Sequence, residues 1–189
     1  PEAEVSAQVA ETKGGVEADA PEVATRAMID FSIGALSSAS EYTVYAERGI
    51  NDKGGSTVRG SKGDALRSAE GRKSTKALSN SIDAMRQLPC TEMKSSDLTG
   101  KSFNPGVYCL SAAELNGELT LDSMNDATGV YIFRVAGSLN AKNGSSIRLE
   151  NGAQGGNVFF VAEDATIGND VSFRANVLTK GDIAIGTGS

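Results

Sequence analysis

At 189 residues with 39% apolar side chains, the chain is long enough to bury a sizeable core in one domain. Its 18 basic and 24 acidic residues leave a net charge of −6, and no block of Lys or Arg forms a phosphate-binding stripe, which argues against nucleic acid as a partner. No run approaches the about 18 apolar residues needed to span a bilayer, and with no His and two Cys the chain lacks the ligands of ordinary zinc sites.

Residues 1–27 are rich in Ala, Glu, Val and Thr without a sustained period, which reads as a mobile N-terminal tail or pro-segment. The chain opens PEAEVSAQVAE, with neither Met nor a charged-then-apolar leader, as expected of a soluble, processed or trimmed protein. From Met28 the runs FSIGAL and EYTVYAERGI read as strands broken by Ser and Gly clusters and could supply the first coil of a β domain. The stretch from Gly55 to Lys62, GSTVRGSK, is close to a phosphate-binding loop, but lysine and hydroxyl stand in the wrong order. It reads as a Gly/Ser turn leading into a helix.

The period then changes. Over about 65–88, Leu78, Ile82, Met85 and Leu88 share one helical face while Arg72, Lys73, Lys76 and Asp83 fall elsewhere. Asp64 suits an N-cap and Pro89 a stop. Cys90 and Cys109 each sit beside turn residues, which fits either a disulfide in a secreted chain or two buried thiols.

Beyond Cys90 the sequence repeats. NAKNGSSIRL (140–149) aligns with TIGNDVSFRA (166–175), and EDATIGND (163–170) with GDIAIGTG (181–188). Each unit is a short strand, an Asn, Asp or Gly turn, another short strand and a corner, the signature of a solenoid. Leu139, Ile167 and Ile185 should stack inward on one side, Ile147 and Phe173 on another. VYIFRV, NVFFVA and NVLTK are apolar at both parities and so covered on both sides, which places them beneath the helix. SSIRLE and VSFRAN turn Ser146, Arg148, Glu150, Ser172 and Arg174 outward as a solvated face. SLNAKN, ATIGN and IAIGTG turn Asn140, Lys142, Thr166, Gly168, Ala184 and Gly186 outward, with Thr187 at the corner: a row of mostly small, weakly hydrated groups suited to an extended, regular ligand.

QLPC, LTGKSFNPGVYCLSAAELNGELTLD and GVYIFRVAGSLNAKNGSSIRLENGAQGGNVFFVAEDATIGNDVSF together resemble the widespread microbial ice-binding (antifreeze) protein family. The resemblance runs from about Leu88 to Ser189, carried by the PGVY turn, the F-x-V-A-G-S-L corner and the NGAQ-x-x-NVFF segment, and less closely from Tyr42 to Gly60. It implies a mainly β fold: a right-handed, three-faced β-solenoid (β-helix) over 28–189, with one long α-helix packed alongside. It also implies adsorption to ice by a secreted, non-enzymatic, monomeric protein without cofactor or metal, and Cys90 and Cys109 match a cysteine pair found in part of the family. Two departures stand out. The chain stops at Ser189, inside what the family continues as further strands, which is expected to leave the last coil open; and the segment before the helix is short, which is expected to remove a capping loop. No motif of the family fixes the ice-binding residues, so the assignment of Asn140, Lys142, Thr166, Gly168, Ala184, Gly186 and Thr187 rests on the chemistry of the face.

Other classes make different demands. A solenoid polysaccharide lyase needs carboxylates clustered in a groove, whereas Asp122, Asp126, Glu163 and Asp164 fall at turns with irregular spacing. An extracellular adhesin or glycan-binding module, the alternative reading, wants exposed aromatics, and the chain has no Trp. Asn143-Gly144-Ser145 matches a glycosylation sequon on a turn.

Overall fold

In the computed structural model, residues 42–55, 61–64 and 79–189 are described. The expected tail, the FSIGAL strand and the first part of the expected helix, including Leu78, lie outside them. In chain order the strands β1 (Tyr42–Ala46), β2 (Gly49–Asp52) and β3 (Ser61–Asp64) precede helix α1 (79–87). After it come β4 (Thr91–Glu92) and β5 (Ser102–Phe103), then β6 (Gly106–Leu110), β7 (Ala113–Leu115) and β8 (Glu118–Asp122). The next circuit holds β9 (Tyr131–Val135), β10 (Leu139–Ala141) and β11 (Ser146–Glu150), followed by β12 (Val158–Ala162), β13 (Ala165–Ile167), β14 (Asn176–Thr179) and β15 (Asp182–Ile185).

These strands form three parallel sheets, ordered β3-β1-β14-β12-β9-β6-β4, β2-β15-β13-β10-β7 and β11-β8-β5. Successive strands of the chain pass from sheet to sheet, so each meets its hydrogen-bond partner only a full circuit later. Parallel pairing needs a connection of about a dozen or more residues, and here the strands of the other sheets make up that connection. Asn140 pairs with Thr166, Thr166 with Ala184 and Ser146 with Ser172, as the internal repeats predict. Leu139, though buried, stacks on Ala165 and Ile183, while Ile167 and Ile185 stack on Ala141. It therefore stands one inward step away from the column expected of it, because the repeat puts two inward side chains on each of these strands.

The core between the sheets is ordered by an aromatic column. Tyr108, Phe133 and Phe160 are in register on β6, β9 and β12. Phe133 and Phe160 stack with centroids 4.6 Å apart, and Phe103 and Phe173 flank the column. Alternate residues of these strands, Val107, Ile132, Phe159 and Val161, with Leu178 of the adjoining β14, face the other way onto Ile82, Met85 and Leu88. That is why these runs are apolar at both parities: one side lines the core and the other seats α1. Arg86–Glu163 (2.6 Å) and Lys180–Asp83 (2.5 Å) border the contact. Arg134 donates to the Leu88 carbonyl oxygen just past the helix end.

The N-terminal strands do not begin the stack. β1 pairs with β14 and β2 with β15, at the end reached last by the chain. The outer edges of β14 and β15 are thus occupied rather than open, whereas among the described residues the third sheet ends in a single Ser146–Ser172 bridge, and a cavity of about 930 Å³ opens beside Leu149, Phe173, Ile183 and Ile185. The segment read as a turn ending in an N-cap contains a strand, with Asp64 of β3 paired to Ala46. SKGD has no apolar alternation; it pairs through its backbone with β1 and is the edge strand of this sheet among the described residues, a place where Lys and Gly are compatible with a strand.

Cys90 and Cys109 are bridged, with Cα atoms 5.7 Å apart. Cys109 lies on β6, second from the sheet edge opposite β3 because β4 lies outside it, so the bridge ties the segment between α1 and β4 to the neighbouring strand β6. Thiol titration of the denatured, unreduced protein is expected to find no free cysteine, and reduction to cost about 3 kcal/mol from the loop closed by the bridge. Two titratable thiols would refute the bridge.

Candidate functional site

The five-stranded sheet is built of very short strands. β7, β10 and β13 each bury their first and third side chains and turn the middle one outward, because the two flanking apolar residues are drawn into the core. The parallel register aligns these middle residues. Glu114, Asn140, Thr166, Ala184 and Asn51 form one row across the sheet, each separated from the next by one strand spacing of roughly 4.8 Å. Of the seven predicted residues, Asn140, Thr166 and Ala184 are brought together in this row.

Lys142, Gly168 and Gly186 form the next row. Their amides continue the ladder, donating to the carbonyl oxygens of Leu115 (2.7 Å), Ala141 (2.8 Å) and Ile167 (2.8 Å). Lys142 is exposed, Gly168 half-buried and Gly186 buried. The two glycines answer to the fold, since a Cβ on Gly168 would lie 2.6 Å from Asn143 Oδ1 and 2.7 Å from its backbone nitrogen, and one on Gly186 would lie 2.6 Å from the Gly168 carbonyl group. At these two corners, unlike that of Lys142, the neighbouring circuit passes too close for a side chain. Thr187, exposed, lies one residue further along.

Side-chain acceptors close the corners. Asn143 Oδ1 accepts from the Asn169 N–H (2.8 Å), and Asn169 Oδ1 from the Thr187 N–H (3.0 Å). At the opposite end of the strands, Asp164 Oδ1 accepts from the Asp182 N–H (2.9 Å). The sequon asparagine is therefore engaged through its oxygen, and its serine is buried, with Ser145 Oγ donating to the Leu115 carbonyl oxygen (2.9 Å).

Formal charge in the two rows sits on Glu114, Lys142 and, where the second row meets β2, Lys53; the run Asn140–Thr166–Ala184–Asn51 is uncharged. The third sheet differs. Its outward side carries Arg148 paired with both Glu118 and Glu150, and Arg174 is exposed nearby.

Sequence reasoning missed Glu114 and Asn51. The 26-residue step from Asn140 to Thr166 also leads back to Glu114, so that signal was present. Asn51 had none, because its neighbour Ala184 is 133 residues away and joins it only through the return of β2 to the last circuit.

The carboxylates set aside for catalysis are engaged locally. Asp122 accepts from the Met124 amide and the Asn151 side chain, which hold it below the usual carboxylate range. Asp126 accepts from Thr128, and Glu163 pairs with Arg86. Among the described residues, Cys90, Glu92 and Cys109 lie close enough to hold a metal, but the disulfide uses both sulfurs. No helix among the described residues is long and apolar enough to cross a membrane.

A family model described as Ice-binding-like matches residues 22–189. An ice-binding protein of Nostoc sp. (strain HG1) is 36% identical over 103 residues, covering 53% of this chain and 38% of that protein. One from Leucosporidium sp. (strain AY30) is 31% identical over 100 residues, covering 52% and 38%. The chain thus spans well under half the length of these curated relatives. The crystal structure of an ice-binding protein from the Antarctic ascomycete Antarctomyces psychrotrophicus superposes with a TM-score of 0.69 at 26% identity, over 80% of this chain and 95% of that one. Another, from an Antarctic biological consortium, gives 0.71 at 16% identity over 81% and 87%, and shows the likeness of fold.

Proposed function

The chain belongs to the Ice-binding-like family, and from that premise we propose that it adsorbs to ice through the outer side of its five-stranded sheet and so inhibits ice growth or recrystallisation. The observation that carries the choice of surface is the register-locked row Asn140–Thr166–Ala184–Asn51. It is uncharged, its spacing is set by backbone ladders, and its side chains are short, so little entropy is lost when they meet an ordered water layer. Adsorption proceeds by many weak contacts and organised water, with no bond made or broken, and the reading is of a non-catalytic protein.

Neither other side serves as well. The outer side of the seven-stranded sheet carries α1, and the third sheet presents the strongly hydrated Arg148, Glu118 and Glu150. In this reading the sheets are the three faces of a right-handed solenoid, the hand that parallel crossovers almost always take. The setting is extracellular, where ice forms and the Cys90–Cys109 bridge persists. Asn140, Thr166, Ala184 and Thr187 are the contact residues, Lys142 lies at their margin, and Gly168 and Gly186 let the corners pack. Among the described residues the exposed large apolar side chain is Met124, so the glycan-binding alternative lacks an aromatic platform. The shape of an ice crystal growing in a dilute solution of the protein tests the proposal.

A further inference from the structure

Asn143 and Asn169 form two consecutive rungs along the edge of the proposed surface, the amide oxygen of each accepting from a backbone N–H of the next circuit. The second rung ends on Thr187, itself an exposed residue of that surface. Strands of three residues offer few ladder hydrogen bonds, so the side-chain rungs at the corner add to the ladder bonds of Lys142, Gly168 and Gly186 in fixing the row beyond the strands. There the chain turns away: the Thr187 carbonyl oxygen accepts from the Asp170 N–H (2.9 Å), and the Thr187 N–H is met by the Asn169 side chain. Asparagine is the side chain that can imitate a backbone carbonyl at this distance. The glycines on either side of the rungs complete the arrangement, because Gly168 and Gly186 leave open the space that the oxygens of Asn143 and Asn169 occupy.

We infer that Asn143 and Asn169 are positioning residues for ice adsorption: their amide-oxygen rungs hold the Lys142–Gly168–Gly186 edge and Thr187 at the strand spacing, so that the surface meets ice already ordered. The inference rests on the proposed adsorption through this sheet. Without the rungs the corner amides turn to water, Thr187 and its neighbours gain freedom, and that freedom must be lost again on docking.

The test compares Asn169→Ala, Asn169→Asp and the wild type for thermal hysteresis just below the melting point of ice, with circular dichroism at the same temperature to confirm folding. Asn169→Ala is expected to stay folded and to lose about half or more of its hysteresis. Asn169→Asp, which keeps an acceptor oxygen, is expected to recover most of it. If Asn169→Ala does not fold, Asn143→Ala, which removes the rung one circuit away from Thr187, carries the same expectation with a smaller loss. Wild-type hysteresis in a folded alanine variant overturns the inference, since a corner needed only for stability leaves adsorption untouched where the protein is folded. Equal loss in the alanine and aspartate variants at a pH where the new carboxyl is protonated, and so uncharged while keeping its acceptor oxygen, overturns it too, because the acceptor oxygen then does not matter. Absence of hysteresis in the wild type is a different failure, that of the adsorption reading itself.

Discussion

Replacing Thr166 with Tyr is expected to cut thermal hysteresis several-fold while leaving the melting temperature of the protein nearly unchanged. Thr166 is the exposed middle residue of β13, between Asn140 and Ala184 in the row. A ring projecting there lifts the neighbouring side chains off an ice plane over more than one strand spacing. The core is spared, because the flanking Ala165 and Ile167 carry the burial, and an outward substitution typically changes stability by within about 0.5 kcal/mol. Arg174→Tyr is the matched control: an equally bulky ring on an exposed site, outside the proposed surface. Loss of activity in the Arg174 variant with retention in the Thr166 variant would move the adsorbing surface to the other side of the molecule.

The largest effect on stability is expected from Phe160→Ala. Phe160 is fully buried, stacks on Phe133 at 4.6 Å and touches Phe173 at 5.2 Å, so its removal opens a gap in the column that runs through successive circuits. Truncations of this kind cost about 3–5 kcal/mol, against a total of roughly 5–15 kcal/mol for a typical domain. Denaturant unfolding measures it. A loss below about 1 kcal/mol would show that the circuits do not depend on the aromatic column. Because the ring points away from the five-stranded sheet's outer side, whatever fraction remains folded near the melting point of ice should retain its hysteresis. Phe160 and Thr166 thus separate what holds the fold from what meets the ice.

Much of this division was legible in the sequence, for identifiable reasons. Repeats offset by 26 and 18 residues fixed the pairings of Asn140 with Thr166 and of Thr166 with Ala184, because in a parallel stack a sequence offset is a spatial neighbour. Strands apolar at both parities foretold the helix-covered sheet. The sequence was silent where structure depends on a distant partner. The edge strand SKGD has no pattern of its own and exists by pairing with β1. Asn51 joins the row only because β2 returns to the far end of the stack. Gly168 and Gly186 were read as surface, since smallness looks the same whether it serves a ligand or a close backbone approach; only the positions of Asn143 and Asn169 distinguish the two.

The central claim, that this chain adsorbs to ice, is tested most directly by the habit of a single ice crystal grown slowly in a dilute solution of the protein. Adsorption to particular planes slows their advance, and the account predicts a faceted crystal whose facets are lost when Thr166→Tyr replaces the wild type and kept with Arg174→Tyr. A crystal that grows as the same rounded disc in wild-type protein and in buffer would contradict it.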